Sequence, residues 1–284
     1  MSDRLTVAKT YKLYLGGKFP RSESGRVYPV QDAKGRFLAN AARASRKDAR
    51  DAVAAARKAF GGWSGATAYN RGQVLYRVAE MMEGRRDQFA AEVGAAEGVR
   101  RAQSLVDLAI DRWVWYAGWT DKIASVLGGA NPVAGPYFSF TVPEPSGVVA
   151  VLAPQRSSLL GLVSVLAPVL AAGCTAVVVS SERRPLPAIT LSEVLATSDV
   201  PGGVANILTG SAAELGPWLA SHGDVDALDP TGAEDRTGLA REAAGTVKRV
   251  LRVPAEEPDW TQRPDLARLR HYLEAKTVWH PMGT

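Results

Sequence analysis

The chain has 284 residues, of which 46% are hydrophobic and 22% charged, with 27 glycines and 17 prolines. This composition excludes a collagen-like, coiled-coil or fully disordered protein, and the length suits one large or two smaller α/β domains. The single cysteine, Cys174, excludes an intramolecular disulfide and a cysteine-rich metal site. Because Asp3, Arg4 and Lys9 interrupt any leader-like pattern among the first residues, we expect a cytoplasmic protein.

The net charge of +5 is unevenly distributed, since residues 1–180 carry 23 basic and 14 acidic side chains and residues 181–284 carry 11 and 15. The arginines stand singly or in pairs without interleaved aromatic residues, so we expect solvated helix faces and no nucleic-acid partner. Ser157–Ser181 has no charged residue, but Pro168 and Gly173 interrupt it and its end is β-branched. A buried helix followed by a buried strand explains it better than a membrane span, and we expect no membrane association.

The N-terminal part predicts a weak strand followed by long helices. Tyr11–Gly17 alternates weakly and is typical of a short strand or hairpin arm. Ser45 followed by Asp48 is a capping-box pattern with Asp in place of Glu, and we expect the helix that it opens to end at Gly61 and Gly62. Two further long helices are predicted at Asn70–Ala96 and Arg101–Leu127, the second with an aromatic cluster typical of a core or a subunit interface.

The pattern then changes to strands. Prolines bracket Tyr137–Val142, whose aromatic and β-branched residues predict an exposed hairpin arm. Further on, apolar strand patterns alternate with helical patterns, which indicates an α/β fold with a doubly wound parallel sheet. The strands are predicted at Val148–Ala153, Ala176–Val179, Val204–Leu208, Val225–Leu228 and Val247–Val253, and the helices at Leu159–Ala171, Pro185–Ala196, Ala212–Ser221 and Glu234–Ala244.

After Val253 this alternation stops. Pro254–Pro264 is a connector rich in proline and acidic residues, and a short helix, Asp265–Ala275, and an extended run, Lys276–His280, follow it.

The usual short motifs for catalysis or phosphate binding are absent from the sequence. It has no G-x-G-x-x-G, no G-x-x-x-x-G-K-[ST] and no G-x-S-x-G. His222, His271 and His280 lack metal-ligand spacing, so we expect no metal site. No base or cation stands near Cys174 in the sequence, which favours a buried and inert thiol.

A series of ordered motifs carries a specific resemblance. The series consists of Ser45–Trp63, P-S-G-V-V-A-V-L-A-P at 145–154, A-G-C-T-A-V-V-V-S-S-E at 172–182, P-G-G-V-A-N-I-L-T-G at 201–210 and, more weakly, V-D-A-L-D-P-T-G-A at 225–233. Together these resemble the N-terminal half of the NAD(P)-dependent aldehyde dehydrogenase superfamily, and A-K-T-V-W at 275–279 resembles its C-terminal strand. The resemblance implies a Rossmann-like coenzyme-binding fold, preceded by N-terminal helices and joined to a small β bridging arm that serves oligomerisation.

Departures from the family's pattern affect its catalytic parts. No segment corresponds to the domain that holds the family's catalytic cysteine, and without a thiol nucleophile no thiohemiacetal forms. The place of the family's E-L-G-G-K general base is Leu251–Pro254, which has no acid, and the place of its P-W-N motif is Pro154-Gln155-Arg156. We therefore predict no catalytic residue in this chain.

The resemblance implies only remnants of a coenzyme site. Val179 stands where the family has a lysine beside the adenosine ribose, although Glu182 is able to accept from a ribose hydroxyl. The family's F-T-G-S becomes Pro230-Thr231-Gly232-Ala233, which keeps Thr231 and Gly232 but loses a serine hydroxyl and a backbone N–H. We expect no cofactor, or weak NAD(P) binding through Glu182, Thr231 and Gly232.

The elements that the family uses for subunit contacts are retained. Residues 134–145 and 276–284 are assigned to the bridging arm, residues 1–133 and 146–253 to the coenzyme-type domain, and 254–275 to a connector in place of the catalytic domain. A hairpin and a lone strand are marginal in water unless something covers them. The predicted oligomerisation residues are Tyr137, Phe138, Phe140, Val278 and Trp279.

The resulting hypothesis is a catalytically inactive aldehyde-dehydrogenase-like subunit. It would co-assemble as a hetero-oligomer with a complete, active aldehyde dehydrogenase paralogue, or with itself, as a structural or regulatory partner. Two alternatives stay open: a nucleotide (NAD) binding or sensing module, and a residual NAD-dependent aldehyde oxidoreductase or esterase that uses Cys174 or Arg156.

Overall fold

Residues 8–283 are described by the structure, a computed structural model. Residues 1–7 and Thr284 lie outside the described residues. The first group includes residues used to predict the cytoplasmic location and the start of the predicted coenzyme-type domain, and Thr284 ends the predicted arm. Within 8–283 the strands form sheets of two, three and five strands.

The first helix, α1 (Arg46–Gly65), follows a two-stranded antiparallel sheet of β1 (Val27–Gln31) and β2 (Phe37–Ala42). Its predicted capping box is confirmed, because Ser45 Oγ accepts from the Asp48 N–H and the Asp48 carboxylate accepts from the Ser45 N–H at 2.8 Å. The predicted end at Gly61 and Gly62 is wrong. Trp63 beyond them is buried and its Nε1 donates to Leu170 O at 3.1 Å, which keeps the last turn helical.

Four helices occupy the stretch in which two were predicted. They are α2 (Ala68–Glu83), α3 (Arg86–Glu97), α4 (Ala102–Ala117) and α5 (Ile123–Leu127). The breaks fall at Gly84 and Gly118, the residues that follow the last turns of α2 and α4. Trp113 and Tyr116 are buried and Trp115 and Trp119 pack against them, so the aromatic cluster belongs to the core.

The doubly wound parallel sheet is confirmed, with strand order β7-β6-β5-β8-β9. Its strands are β5 (Val148–Leu152), β6 (Thr175–Val179), β7 (Ala205–Leu208), β8 (Ala227–Asp229) and β9 (Arg249–Val250), and the helices between them are α6 (Leu160–Ala171), α7 (Leu186–Ala196), α8 (Ala212–Ser221) and α9 (Arg236–Ala244). Every residue of α6 is buried, which accounts for the uncharged stretch. Among residues 8–283, none of the helices combines the length and the hydrophobicity that a membrane span requires.

The two predicted parts of the arm meet in one antiparallel sheet of order β10-β4-β3. Its strands are β3 (Gly129–Asn131), β4 (Tyr137–Pro145) and β10 (Leu273–Pro281). The register joins β4 and β10 from Tyr137 opposite Pro281 to Pro145 opposite Leu273. The predicted helix Asp265–Ala275 is shorter, α10 (Ala267–His271), because pairing with β4 begins already at Leu273.

Candidate functional site

The carboxyl ends of β5 and β8 form the switch point of the parallel sheet. The crossovers from β5 lead to one side of the sheet and β8 lies on the other, which opens a crevice between the loops that follow them. Gln155 follows β5, Glu182 follows β6, and Thr231 and Gly232 follow β8. Glu182, Thr231 and Gly232, the predicted coenzyme residues, therefore lie at the carboxyl ends of the parallel strands, where open α/β sheets generally bind ligands.

The amide of Gln155 ties two of these loops together. Its Nε2 donates to Ala153 O at 2.8 Å, and its Oε1 accepts from the Glu182 N–H at 3.0 Å. Ser181 Oγ donates to Gln155 O at 3.0 Å and adds a further link. These bonds direct the amide toward the backbone of its own loops, so it is not placed to stabilise an oxyanion of a substrate.

Gly232 closes the crevice from the β8 side. Its N–H donates to Leu152 O at 2.8 Å, and a Cβ at this position would lie 1.8 Å from Ala153 O. Any side chain would therefore force the loops after β5 and β8 apart. A cleft of about 500 Å³ opens beside this contact and is lined by Gln155, Glu182 and Gly232 together with residues of α8 and α9.

Thr231 does not share the cleft with Glu182 and Gly232. It is buried, and its Oγ1 and N–H donate to Asp229 Oδ1 at 2.5 and 3.0 Å. The structure thus brings two of the three predicted coenzyme residues together and directs the third into the protein.

The cleft beside Gly232 is acidic. Glu182, Glu234, Asp235 and Glu242 line it. The Asp235 carboxylate accepts from the Gly238 N–H at 2.8 Å and so caps the N-terminus of α9. A helix N-terminus binds anions through its dipole and its N–H groups, and here a carboxylate of the chain already occupies one of these N–H groups. These residues suit the hydroxyls of a nucleoside and do not fit a pyrophosphate at α9.

A buried ion pair lies under the crevice. Asp229 is fully buried, Arg268 Nη1 donates to its Oδ2, and Tyr272 OH donates to the same oxygen at 3.0 Å. Although burial disfavours its charge, the carboxylate of Asp229 raises the pKa of Arg268. Burial and the neighbouring Asp229 raise the pKa of Tyr272. This cluster was not predicted from the sequence, where its only signal is an acid at the end of an apolar strand.

The connector reaches into the same crevice. The Glu257 carboxylate accepts from the backbone N–H groups of Gln155, Arg156 and Ser157 at 3.2, 3.0 and 3.2 Å. Trp260 Nε1 also donates to it, at 3.0 Å. Arg112 Nη2 holds the connector by donating to Trp260 O at 2.7 Å. From the sequence, this segment was predicted only to be a connector, yet it binds the loop after β5.

Cys174 lies at the amino ends of the parallel strands, just before β6 begins and away from the crevice at the carboxyl ends. Burial raises the pKa of its thiol to about 12, and its Sγ donates to Tyr272 O at 3.4 Å. A thiol with this pKa is protonated at neutral pH and is a poor nucleophile. The side chain of Arg156 is exposed. No cluster of metal-ligating side chains occurs among the described residues, which include all three histidines.

The predicted oligomerisation residues lie on two faces of the arm. Residues opposite each other in an antiparallel pair share a face, and alternate residues of one strand point to opposite faces. Tyr137 and Trp279 therefore lie on one face, with ring centroids 5.9 Å apart. Phe138, Phe140 and Val278 lie on the other. Tyr137, Phe138 and Trp279 are 42%, 49% and 58% exposed, and Phe140 and Val278 are half-buried.

The sheet order and the crevice at its switch point define a Rossmann-like α/β protein. Residues 19–253 match the model of the aldehyde dehydrogenase family, and the chain belongs to this family, as its motifs indicate. Putative aldehyde dehydrogenase DhaS of Bacillus subtilis is 35% identical over 85% of this chain and 50% of its own length. Retinal dehydrogenase 2 of Homo sapiens is 36% identical over 85% of this chain and 48% of its own length.

Solved structures agree with this assignment. HpcC from Thermus thermophilus superposes with a TM-score of 0.80 at 30% identity, over 85% of this chain and 47% of that one. An NAD+ complex of aldehyde dehydrogenase from Bacillus cereus gives a TM-score of 0.79 at 27% identity, over 85% and 50%. The chain thus spans about half the length of the relatives that it matches.

Proposed function

We propose that the chain is a non-catalytic subunit of an aldehyde dehydrogenase assembly, built from a coenzyme-type body, an arm and a connector. Three features of the crevice support the lack of catalysis. Its loops carry no thiol, the Gln155 amide bonds to the backbone, and the Glu257 carboxylate occupies the N–H groups that follow β5. Cys174, the one cysteine in the sequence, lies at the amino ends of the parallel strands, whereas the crevice lies at their carboxyl ends.

The main support for the proposed role is that the two long strands of the arm are fully paired with each other. β4 and β10 pair along their whole lengths and leave exposed aromatic rings on both faces. Among the described residues β10 pairs only with β4, so its outer edge is open. An open edge beside exposed aromatic rings favours docking with another chain. We assign this surface to a full-length aldehyde dehydrogenase of the same organism.

Co-expression of the tagged chain with that full-length enzyme tests the proposal. We expect one species in size-exclusion chromatography whose mass, from light scattering, contains both chains. Tyr137→Ala/Trp279→Ala should reduce co-assembly, because it removes the aromatic surface of one arm face. Phe37→Ala is the matched control, since Phe37 is 63% exposed on β2, outside the arm. Two separate peaks for the wild-type chains would refute the proposal, as would NADH production from aldehydes by the isolated chain.

A second function, a nucleoside-binding or sensing module, is favoured by the cleft that Glu182 and Gly232 share. Carboxylates line this cleft and repel phosphate groups, so we expect adenosine to bind at least as well as NAD. Calorimetric titration with NAD and with adenosine distinguishes a coenzyme sensor from a nucleoside site. Low-micromolar NAD binding would favour a coenzyme sensor, and tighter binding of adenosine would favour a nucleoside site.

A further inference from the structure

The 155–158 loop directs successive backbone N–H groups at carboxylates. The N–H groups of residues 155, 156 and 157 converge on Glu257, and the Ser158 N–H donates to Glu97 Oε1 at 2.6 Å. Convergent N–H groups form a concavity that binds anions. This one stands at the carboxyl end of β5, beside the switch point, where open α/β sheets take their ligands.

Glu257 meets this concavity as a bound ligand would. Both of its carboxylate oxygens accept from the loop, and Trp260 Nε1 supplies a further donor from the connector itself. The connector is in turn held by Arg112, which donates to Trp260 O and Gln262 O at 2.7 and 3.0 Å. The neighbouring Glu256 is exposed and makes no side-chain hydrogen bond to the described residues. The contact is therefore specific to one of two adjacent glutamates.

We propose that residues 155–157 form an oxyanion-binding site whose built-in occupant is Glu257, so that the connector acts as an autoinhibitory strap across the crevice. A carboxylate and a phosphate present the same kind of acceptor oxygens to these N–H groups. A tethered carboxylate competes at an effective concentration in the millimolar range. A free oxyanion therefore binds only when the connector moves away. This proposal goes beyond the assembly role, since it concerns the isolated chain.

Chemical rescue of Glu257→Ala tests the proposal. The variant leaves three N–H groups without their carboxylate, so its melting temperature should be lower than that of the wild type. Sodium phosphate or acetate should raise that temperature more than sodium chloride at the same ionic strength, because a bound ligand stabilises the folded state. Calorimetry should show phosphate binding at least tenfold tighter in the variant than in the wild type. Glu256→Ala is the matched control and should behave as the wild type.

Each outcome bears on the proposal. Rescue by phosphate alone, by acetate alone or by both supports it and identifies the oxyanion. If neither anion acts beyond the chloride effect, or if wild type and Glu257→Ala bind phosphate equally, Glu257 is only a structural tie and the proposal is wrong. If Glu257→Ala does not fold, Glu257→Gln undergoes the same measurements; its uncharged amide keeps one acceptor oxygen, so the same effects should appear to a smaller extent. Co-assembly is not involved, so failure here leaves the proposed subunit role to its own test.

Discussion

At the scale of single residues, the thiol of Cys174 should lower the free energy of unfolding as the pH rises in the alkaline range. Burial raises its pKa from 9.0 to about 12. Between these values the unfolded chain loses a proton that the folded chain keeps, so the stability is fully present below pH 9 and falls as the pH rises. One such group contributes a slope of about 1.4 kcal/mol per pH unit. Urea unfolding from about pH 8 to 10.5 should therefore give a smaller decline for Cys174→Ala than for the wild type.

Buried tyrosines act in the same direction, since burial raises the pKa of Tyr14 and of Tyr116 to about 12. The wild-type curve therefore includes their effect, and only the difference between the two curves reports on the thiol. Parallel curves would mean that the folded chain ionises Cys174 as easily as the unfolded chain. The same experiment at neutral pH gives the cost of the side chain's packing alone.

At the scale of the elements, the sequence predicts the helices and strands that have a periodic pattern of apolar residues. It misses the features that depend on tertiary packing. The parallel strands and their helices agree with the structure within a few residues, because apolar runs separated by helical patterns have few other solutions. The breaks at Gly84 and Gly118 were missed, since glycine signals a turn no more strongly there than at Gly61, which stays helical. Packing of Trp63 decides the difference, and packing is not visible in local sequence.

The candidate site follows the same rule. Glu182 and Gly232 were found because a motif places them at strand ends, and the structure puts them in one cleft. Glu257 and Arg268 were missed because their partners are distant in the sequence and belong to a segment without regular structure. Tertiary contacts of a connector leave no periodic signal.

The buried ion pair between Arg268 and Asp229 links α10 to the end of β8. Asp229→Ala leaves the Arg268 charge buried without its carboxylate and should lower the free energy of unfolding by about 3–5 kcal/mol. Asp229→Leu/Arg268→Met removes both charges and should recover the part of this loss that is due to the unpaired charge, while the Thr231 and Tyr272 donors still lack their acceptor. Urea unfolding measures both variants.

Glu144→Ala is the control for this pair. It breaks the ion pair of Glu144 with Lys276, which joins the strands of the arm at 2.9 Å and is half exposed. Exposed pairs contribute little, so this variant should change stability by less than about 1 kcal/mol. A double variant at Asp229 and Arg268 as unstable as Asp229→Ala would contradict the role of the buried charge and point to shape alone.

At the scale of the whole molecule, two separate sheets present exposed apolar side chains to solvent. The β1–β2 pair carries exposed Val27 and Phe37, and the arm carries exposed Tyr137 and Trp279. The arm is closed by strands more than a hundred residues apart in the sequence, and it holds the chain's C-terminal part against its middle. If assembly with a full-length enzyme is the reason for keeping the arm, only the arm should become protected.

Hydrogen exchange of backbone amides, read by mass spectrometry, distinguishes these surfaces. In the isolated chain the outward N–H groups of β10 face solvent, because β10 is an edge strand, and they should exchange fast. Adding the full-length enzyme should slow exchange in residues 137–142 and 276–280, since pairing or burial removes these groups from water. Residues 27–42, a second sheet with exposed apolar side chains, serve as the internal control and should not change. Protection confined to that control sheet would place the interface away from the arm, and equal protection everywhere would mean general stabilisation instead of docking.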